Sequence, residues 1–566
     1  MENESKTNWW WKAIQTGLIG GVVGVLVSLI GMVESFHGRD IIAGQITMGQ
    51  TLLLLIVVMF SFFSSRGDSD TPLGKRLASG ALTGLATGGL VAGLVLLGAA
   101  INLRQVFVKA SPNLYKILTF ENENTTSAAL VLLGAGAVIG LLTAFIHIIP
   151  QIWRRALISG ATIAGLIALL QDLLRVTLSP FPALTKSIAW MFGTRGEEGL
   201  SVAGTLVVFL IVTGLNYFSA VRGDTIRKRI SSLPSGTRAT LRWTSWALLG
   251  AFLLIWPQIA GPYLSEVSNS IGLFILMGLG LNIVVGYAGL LDLGYVAFYA
   301  LGAYSMAVLT TTGGEITANI EFTFWQALPL AILGAVVAGV ALGIPVLKIR
   351  GDYLAIITLG FGEIIRIMFL SDFLKPYLGG SFGIVEIASP TIAGIKLNTP
   401  QTLYYVILAA CMIALFVAYR LRDSRIGRAW KAIREDEDVA QAMGINLTST
   451  KLLAFATGAA FGGFSGAIFA SKLSTVYPHS FVLLVSINVL ALIIVGGMGS
   501  LPGVIVGALL LVGMPELLRE FSEFRLLIYG VLLIVMMLSK PEGFIPEAVH
   551  RRELHEAETL DNVAGA

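Results

Sequence analysis

A run of charged residues between two long apolar segments is the part of this sequence best suited to bind another macromolecule. It covers 420–451 and combines a basic stretch, an acidic stretch and small residues. Hydrated charges on one loop can steer a soluble partner to the surface, and small side chains let a short helix lie close to that partner. An ordinary basic loop at a membrane surface is the alternative. We call this segment the charged island, and its predicted partner-contact residues are Arg434, Glu435, Asp436, Glu437, Asp438, Ala440, Ala442 and Gly444.

Two apolar segments, 286–294 and 496–503, are interrupted by glycine in a way that is typical of a solute pathway. Broken helices near the middle of a membrane expose helix termini, which can face the carboxylate of a small solute. For the second segment the alternative is a tight turn between two spans, which Pro502 favours. With neighbouring positions, the candidate pathway residues are Asn282, Gly286, Tyr287, Gly289, Asp292, Tyr295, Gly360, Gly362, Gly496, Gly497 and Gly499.

A carboxylate and a guanidinium lie three positions apart in another apolar segment. Glu363 and Arg366 share one face of the predicted helix and can therefore form an ion pair. A single charge at the centre of a spanning helix costs about 2.5–3.5 kcal/mol, so we expect the two charges to pair inside the helix bundle. A structural role for this pair is favoured over contact with a solute.

The composition places these residues in a helical membrane protein. The 566 residues are 55% hydrophobic and only 13% charged, and they include 64 glycines. Repeated apolar runs of about 18–24 residues can cross a hydrocarbon core of about 30 Å. The sequence therefore predicts an all-α polytopic protein with about 14–16 transmembrane helices, some of them broken by glycine. Two of these spans are predicted at 244–264 and 268–289.

No set of side chains is suited to catalysis or to holding a metal ion, so neither catalytic residues nor a metal is predicted. The single cysteine, Cys411, excludes a disulfide framework and a cysteine metal cluster. The five histidines are dispersed along the chain, which argues against a membrane enzyme. No G-x-x-x-x-G-K-[ST] sequence occurs, so ATP would have to be bound by another chain. The net charge of +4 reflects basic loops, and nucleic acid is not expected as a partner.

Basic residues recur in alternate loops, at 66–76, 154–155 and 222–242 and in the charged island. If all the predicted spans form, these loops share one side of the membrane, which the positive-inside rule identifies as the cytoplasm. Both termini are then expected in the cytoplasm.

The first part of the chain contains glycine at spacings that permit close helix packing, as at Gly80, Gly84 and Gly88. A basic residue also precedes a glycine by five positions at the start of several apolar runs. Duplicated helical hairpins would account for this pattern. The alternative is that membrane helices often begin with a basic residue and often contain glycine. The pairs are Lys12 and Gly17, Lys75 and Gly80, and Arg155 and Gly160.

Several longer segments resemble the M-type permease subunit of branched-chain amino-acid ABC importers, the Liv system. They are 281–295, 350–366, 496–503, 515–521 and 541–543. The resemblance implies a permease of the bacterial cytoplasmic (inner) membrane that spans the lipid bilayer and holds no cofactor of its own. It also implies the partners: a homologous second permease, two cytoplasmic ATPase subunits that bind ATP, and an extracytoplasmic solute-binding protein.

On this resemblance, 244–548 is the permease core and 549–566 is a polar cytoplasmic tail. Residues 1–243 form an N-terminal membrane extension of about six helices that the resemblance does not explain. The charged island corresponds to the family's ATPase-contact loop, although the usual Leu-Pro ending is missing. At 379–384 the sequence Gly-Gly-Ser-Phe-Gly-Ile stands where relatives commonly carry Gly-Gly-Pro-Asn-Gly-Ile, which leaves the substrate preference open.

The resulting hypothesis is import of leucine, isoleucine or valine by alternating access, driven by ATP hydrolysis on the separate ATPase subunits. Urea or a short amide is the alternative substrate. An ion-coupled secondary amino-acid transporter is the alternative mechanism. It would require acidic residues along a pathway, and beyond Glu363 and Asp292 the second half of the chain offers few.

Overall fold

The chain divides into two compact units, Met1–Leu248 and Leu249–Ala566. The computed structural model describes residues 9–546 except for 67–71, 121, 123, 179–181, 194–198, 232–234, 313–320, 347–348, 350–351, 519–520, 522–523 and 541. The tail predicted at 549–566 and parts of the family-like segments at 350–366, 515–521 and 541–543 lie outside this description. Among the described helices, eleven are long and apolar enough to cross a membrane and four further apolar helices are shorter, so the all-α polytopic class is confirmed with fewer full-length spans than the 14–16 predicted.

The first unit is built from helices with one short β-hairpin. The hairpin pairs β1 (Asp40–Ile42) with β2 (Ile46–Thr47). The helices are α1 (Trp9–Leu29), α2 (Met32–His37), α3 (Met48–Ser64), α4 (Leu73–Ala100), α5 (Pro112–Leu118), α6 (Thr125–Phe145), α7 (Gln151–Leu169), α8 (Gln171–Leu178), α9 (Pro182–Ile188) and α10 (Val202–Ser231).

Glycine sets the distance between α4 and α6. A Cβ atom added to Gly84 would overlap the carbonyl oxygen of Gly136, and one added to Gly136 would overlap that of Gly84. Gly80 has the same relation to Gly140, one helical turn further along. The close packing predicted from the glycine spacing is therefore confirmed, because backbone meets backbone along this seam.

Threonine hydroxyls join α4 to α1 on its other side. The Thr83 Oγ1 donates to the carbonyl oxygen of Ala13 at 3.0 Å, and the Thr87 Oγ1 donates to that of Gly17 at 3.0 Å. Such bonds between helices add to dispersion contacts where surrounding lipid is as apolar as the helices themselves.

The second unit contains the remaining helices and two further pairs of short strands. The helices are α11 (Ser235–Leu281, which begins before the unit boundary), α12 (Val296–Thr310), α13 (Phe324–Val346), α14 (Asp352–Leu370), α15 (Lys375–Leu378), α16 (Pro400–Arg422), α17 (Arg425–Glu435), α18 (Glu437–Ala442), α19 (Leu447–Leu473), α20 (Leu483–Gly496), α21 (Leu501–Ala508), α22 (Met514–Leu517) and α23 (Arg525–Ser539). The strands are β3 (Ile384–Val385), β4 (Thr391–Ile392), β5 (Ile395–Lys396) and β6 (Thr475–Val476), with β3 paired to β6 and β4 to β5.

Helix α11 corrects one sequence-based boundary. The range Ser235–Leu281 contains two helices separated by a kink at Gly261, which has a φ of 72° and a non-helical backbone, so the two spans predicted at 244–264 and 268–289 are both present. Pro262 follows directly and lacks an amide proton, so the interruption falls at Gly261 and not between the predicted spans. Beyond Leu281 the chain continues as a π-helix, Asn282–Tyr287.

The core of the second unit forms where α12, α13 and α19 pack together. A Cβ atom at Gly302 would overlap the backbone of Gly463, and one at Gly466 would overlap the carbonyl oxygen of Tyr299. Aromatic side chains, among them Phe298 and Phe455, fill the space beside these contacts and are fully buried. This core supports the glycine-broken segment that precedes α12.

The α4–α6 seam leads to a first prediction. Gly136→Leu should lower the free energy of unfolding by about 1–3 kcal/mol, because the new side chain forces the two backbones apart. The matched control is Gly134→Leu on the same helix, since a Cβ atom there meets nothing within 4 Å. Thermal unfolding of the purified chain in detergent measures the difference, and equal melting temperatures for the two variants would contradict the seam.

Candidate functional site

The charged island folds as two short helices, α17 and α18, joined at Asp436. The Ser424 Oγ accepts a hydrogen bond from the Gly427 amide and caps α17. The Asp436 Oδ1 accepts from the amides of Asp438 and Val439, each at 2.9 Å, and caps α18. The acidic stretch that the sequence analysis assigned to a partner thus also begins a helix.

The two short helices of the island are attached to the start of α19. Trp430 is fully buried, and its indole nitrogen donates to the carbonyl oxygen of Thr450 at 2.9 Å. The Lys451 ammonium lies 2.6 Å from a Glu437 carboxylate oxygen, and only 5% of the Lys451 side chain is exposed. Because these contacts hold both short helices against the start of α19, a force on the island is transmitted to that span.

At the membrane end of the island, the Arg422 guanidinium donates to both carboxylate oxygens of Asp423, at 2.9 and 3.1 Å. This hydrogen bond lowers the pKa of the Asp423 carboxyl from its ordinary value, so the carboxylate stays ionised at neutral pH.

The structure divides the predicted partner-contact residues into two groups. Arg434 and Glu437 are partly buried, and Ala440 is buried beneath α18, so these three contact the chain's own helices. The Ala440 side chain is only 2% exposed, so it packs against the chain's own helices in this structure. The members of the exposed group are Glu435, Asp436, Asp438, Ala442 and Gly444.

Two exposed apolar residues of this surface were missed by the sequence analysis. Val439 is 58% exposed and Met443 is 80% exposed, and both project from the end of the island. They are four positions apart and so share one helix face, while the buried Ala440 lies to the side of that face. That spacing was readable in the sequence. Gly444, with a φ of 87°, then ends the helical segment in a left-handed conformation that glycine adopts without strain.

The island contacts the first glycine-broken segment directly. The Arg434 Nη1 donates to the carbonyl oxygen of Gly286 at 2.6 Å. Gly289 has a φ of 70°, and a Cβ atom there would lie 2.9 Å from the Arg434 Cγ. The Lys431 ammonium lies 5.6 Å from the centre of the Tyr287 ring. The charged island and the glycine-broken segment 286–294, which the sequence analysis described separately, are therefore in direct contact.

A buried amide joins the two glycine-broken segments to each other. Asn282 is fully buried, and its Oδ1 accepts a hydrogen bond from the Gly499 amide at 2.8 Å. A Cβ atom at Gly286 would lie 2.8 Å from the same Gly499 nitrogen. Nothing larger than glycine fits between them, so the 282–287 π-helix and the turn at Gly499 are in direct backbone contact.

The second segment has the backbone of a tight turn, the alternative that the sequence left open. Gly497 and Gly499 have φ values of 114° and 80°, and Ser500 then caps α21 by accepting from the Gly503 amide. A Cβ atom at Gly496 would overlap the Gly503 carbonyl oxygen. The chain after α23 also reaches this turn, since the Ile545 amide donates to the Gly496 carbonyl oxygen at 2.9 Å.

The chain between the π-helix and α12 lies against α14. The Leu293 amide donates to the Thr358 Oγ1 at 3.0 Å, and a Cβ atom at Gly362 would lie 3.4 Å from the Gly294 Cα. The fully buried Asp292 accepts from the Gly294 amide at 2.9 Å. Of the two predicted pathway glycines of α14, Gly362 therefore packs against the 292–294 segment. The other, Gly360, does not pack there, because a Cβ atom at that position meets nothing within 4 Å.

The polar members of the predicted pathway set are enclosed in this conformation. Asn282, Tyr287, Asp292 and Tyr295 are all fully buried, and the Tyr295 hydroxyl donates to the Gly458 carbonyl oxygen at 2.9 Å. These side chains hold the broken backbone in place. In this conformation they offer no exposed surface to a solute.

Glu363 and Arg366 form the predicted ion pair, but the pair is less buried than predicted. The Arg366 Nε donates to the Glu363 carboxylate oxygens at 3.1 and 3.0 Å. The Glu363 side chain is 43% exposed and that of Arg366 is 23% exposed, so the expected position inside the bundle is wrong. Thr358 and Phe369 occupy the inward face of α14, and helical geometry places the charged pair on its flank.

Among the described residues, no group of three or more His, Cys, Asp or Glu side chains is placed to hold a metal ion. The site consists of structural contacts. The exposed helices α17 and α18 are joined to the glycine-broken segment by the Arg434 guanidinium, and the Asn282 amide joins that segment to the turn at Gly499.

Comparison with known proteins identifies the family of this chain. Residues 263–538, all in the second unit, match the family described as branched-chain amino acid transport system / permease component. The chain is 39% identical over 367 residues to the high-affinity branched-chain amino acid transport system permease protein LivM of Salmonella typhimurium, covering 61% of this chain and 84% of that protein. It is 41% identical over 314 residues to LivM of Escherichia coli, covering 51% and 72%.

A second kind of relative is more distant. The permease protein LivH of Salmonella typhimurium is 24% identical over 306 residues, covering 50% of this chain and 95% of that protein. No solved structure matches the chain. The extent of the LivM similarity and the family match together show that this chain belongs to the family of permease components of branched-chain amino-acid transport systems.

Proposed function

We propose that this chain is the M-type permease of an ATP-driven importer of leucine, isoleucine and valine in the cytoplasmic membrane. Both termini lie in the cytoplasm, and the chain itself forms and breaks no covalent bond. The observation that carries the proposal is the contact of the charged island with the glycine-broken segment through Arg434 and Gly286. An exposed surface attached to broken membrane backbone is what coupling to a soluble motor requires.

The chain contains candidates for the steps that couple the ATPase to the membrane helices. A cytoplasmic ATPase subunit docks on α18, where the exposed Val439 and Met443 provide an apolar anchor within a charged rim. Rotation of the ATPase moves α17, and the Arg434 guanidinium moves the 282–287 π-helix. The Asn282 amide then displaces the turn at Gly499. ATP is bound and hydrolysed by the partner, and solute arrives from an extracytoplasmic binding protein.

The flank of α14 supports pairing with a second permease. An ion pair that is partly exposed on a membrane-length helix is costly against hydrocarbon, because each charge loses its hydration. A homologous second permease that covers this flank removes the cost. The relatives include two distinct permease proteins from one organism, LivM and LivH, which also supports a pair of unlike subunits.

The transport core of this proposal is 244–548, and residues 1–243 brace the complex without carrying solute. The family match begins beyond the first unit, which supports a separate role for that unit. The glycine seam between α4 and α6 suits helices that hold one another closely.

Uptake by the complete complex tests the substrate assignment. Vesicles that contain both permeases and the ATPases, supplied with binding protein and internal ATP, should accumulate labelled leucine and should not accumulate labelled urea. The physical reason is that a site for a branched aliphatic side chain gains from apolar burial, which urea cannot provide. Accumulation of urea without leucine would replace the amino-acid assignment with the amide alternative.

Docking through α18 leads to a third prediction. The double substitution Val439→Asp/Met443→Asp should reduce co-purification of the ATPase by at least about tenfold, because losing apolar anchors of an interface commonly costs about 2 kcal/mol or more. Ile395→Asp, an equally exposed apolar position on β5, is the control. Co-purification of the ATPase at the unaltered level would show that the partner binds elsewhere.

Coupling through Arg434 leads to a fourth prediction. Arg434→Gln should leave the ATPase bound and active while leucine uptake per ATP hydrolysed falls by about tenfold or more, since a hydrogen bond from a charged donor is worth about 1.5–3 kcal/mol. The matched control is Arg425→Gln on the exposed side of the same helix. Uptake and hydrolysis are measured in parallel, and an unchanged ratio in Arg434→Gln would exclude this route of transmission.

A further inference from the structure

The first unit contains a cavity of about 340 Å³ between α1, α3, α4 and α6. Leu54 and Val57 of α3 and Ala135 and Ile139 of α6 form its side walls. Its floor includes Gly88 and Gly136, the same residues that bring α4 and α6 into backbone contact. Because neither has a side chain, the close seam leaves open space on the α3 side. The cavity is thus a consequence of the glycine packing.

The lining of this cavity selects an uncharged, apolar occupant. No charged side chain occurs among the described lining residues, so a zwitterionic amino acid would find no counter-charge for its ammonium or carboxylate. The Thr87 hydroxyl already donates to the carbonyl oxygens of Gly17 and Thr83, at 3.0 and 2.9 Å. The volume exceeds the ~150 Å³ of an apolar cavity that holds benzene, so a longer hydrocarbon fits.

Polar side chains other than Thr87 occur at one end of the lining only. Gln45 follows β1 in the hairpin, and Gln50 lies in the first turn of α3, where its Oε1 accepts from the Thr47 amide at 3.2 Å. From there to Val57 the cavity follows about 10 Å of helix, at about 1.5 Å per residue, well within one leaflet of a bilayer whose core is about 30 Å thick. One end suits a polar head and the rest suits a chain of methylene groups.

The walls also permit entry from the side. The side chains of Leu54, Val57, Ala135 and Ile139 line the cavity and are only partly buried, so the cavity is open beside α3 and α6 and not fully enclosed. In a membrane-spanning unit that opening faces lipid acyl chains. We propose that the cavity binds one acyl chain of a membrane phospholipid, with its glycerol and head group beside Gln45 and Gln50.

Photo-crosslinking in the intact chain tests this site without any substitution. The chain is placed in vesicles of phosphatidylethanolamine and phosphatidylglycerol that contain a trace of phosphatidylethanolamine with a diazirine on one acyl chain. After irradiation, the label should concentrate on Val57 and Ile139, and the outward-facing Leu55 and Val58 should carry much less. Equal labelling of inward and outward positions would mean ordinary lipid contact and would overturn the proposal.

Filling the cavity gives an independent measurement. Leu54→Trp/Val57→Trp should abolish the Ile139 label. It should also abolish the phospholipid that stays bound through extensive detergent washing, which native mass spectrometry detects. Leu55→Trp/Val58→Trp is the matched control, because it adds the same side chains to the neighbouring, exposed positions of α3 and should keep both signals. Retention of phospholipid by the filled variant, or a free fatty acid in place of phospholipid in the unaltered chain, would contradict the assignment.

Discussion

The hydrogen bond from the Arg434 guanidinium to the Gly286 carbonyl oxygen is the interaction on which the second unit's mechanism depends. A carbonyl group within a regular α-helix is already bonded to an amide four residues later, but the π-helical and glycine-broken backbone changes that pairing. A charged donor from outside the membrane helix can then reach it. The same irregular backbone places Asn282 against Gly499, so one break in the helix serves both contacts.

Glycine is the common physical device of both units. Membrane helices gain little from hydrophobic burial against one another, so they associate through close contact and hydrogen bonds between helices. Gly84 and Gly136 provide that contact in the first unit, and Gly302 and Gly463 provide it in the second. At Gly286 the absence of a side chain has a different result, since it allows the backbone of Gly499 to approach the broken helix closely.

Several features were predictable because they depend on local pattern. The apolar runs predicted the spans, the spacing of Gly80, Gly84 and Gly88 predicted a close seam, and Glu363 and Arg366 were paired correctly from their separation. The depth of that ion pair was not predictable, because it depends on which neighbours cover the flank of α14. The burial of Ala440 and the contact of Arg434 with Gly286 were likewise not predictable, since a charged loop does not reveal which of its residues turn inward.

By itself, the sequence determined the class of the protein and its family. Hydropathy, the lack of an ATP-binding loop and several long family-like segments are properties of the linear chain, and none requires knowledge of distant contacts. Only the tertiary structure decided that the charged island touches 286–289, that Asn282 reaches Gly499 across 217 positions, and that a cavity lies beside the α4–α6 seam. These features arise from pairing between helices far apart in the chain, which residue spacing within any one segment does not encode.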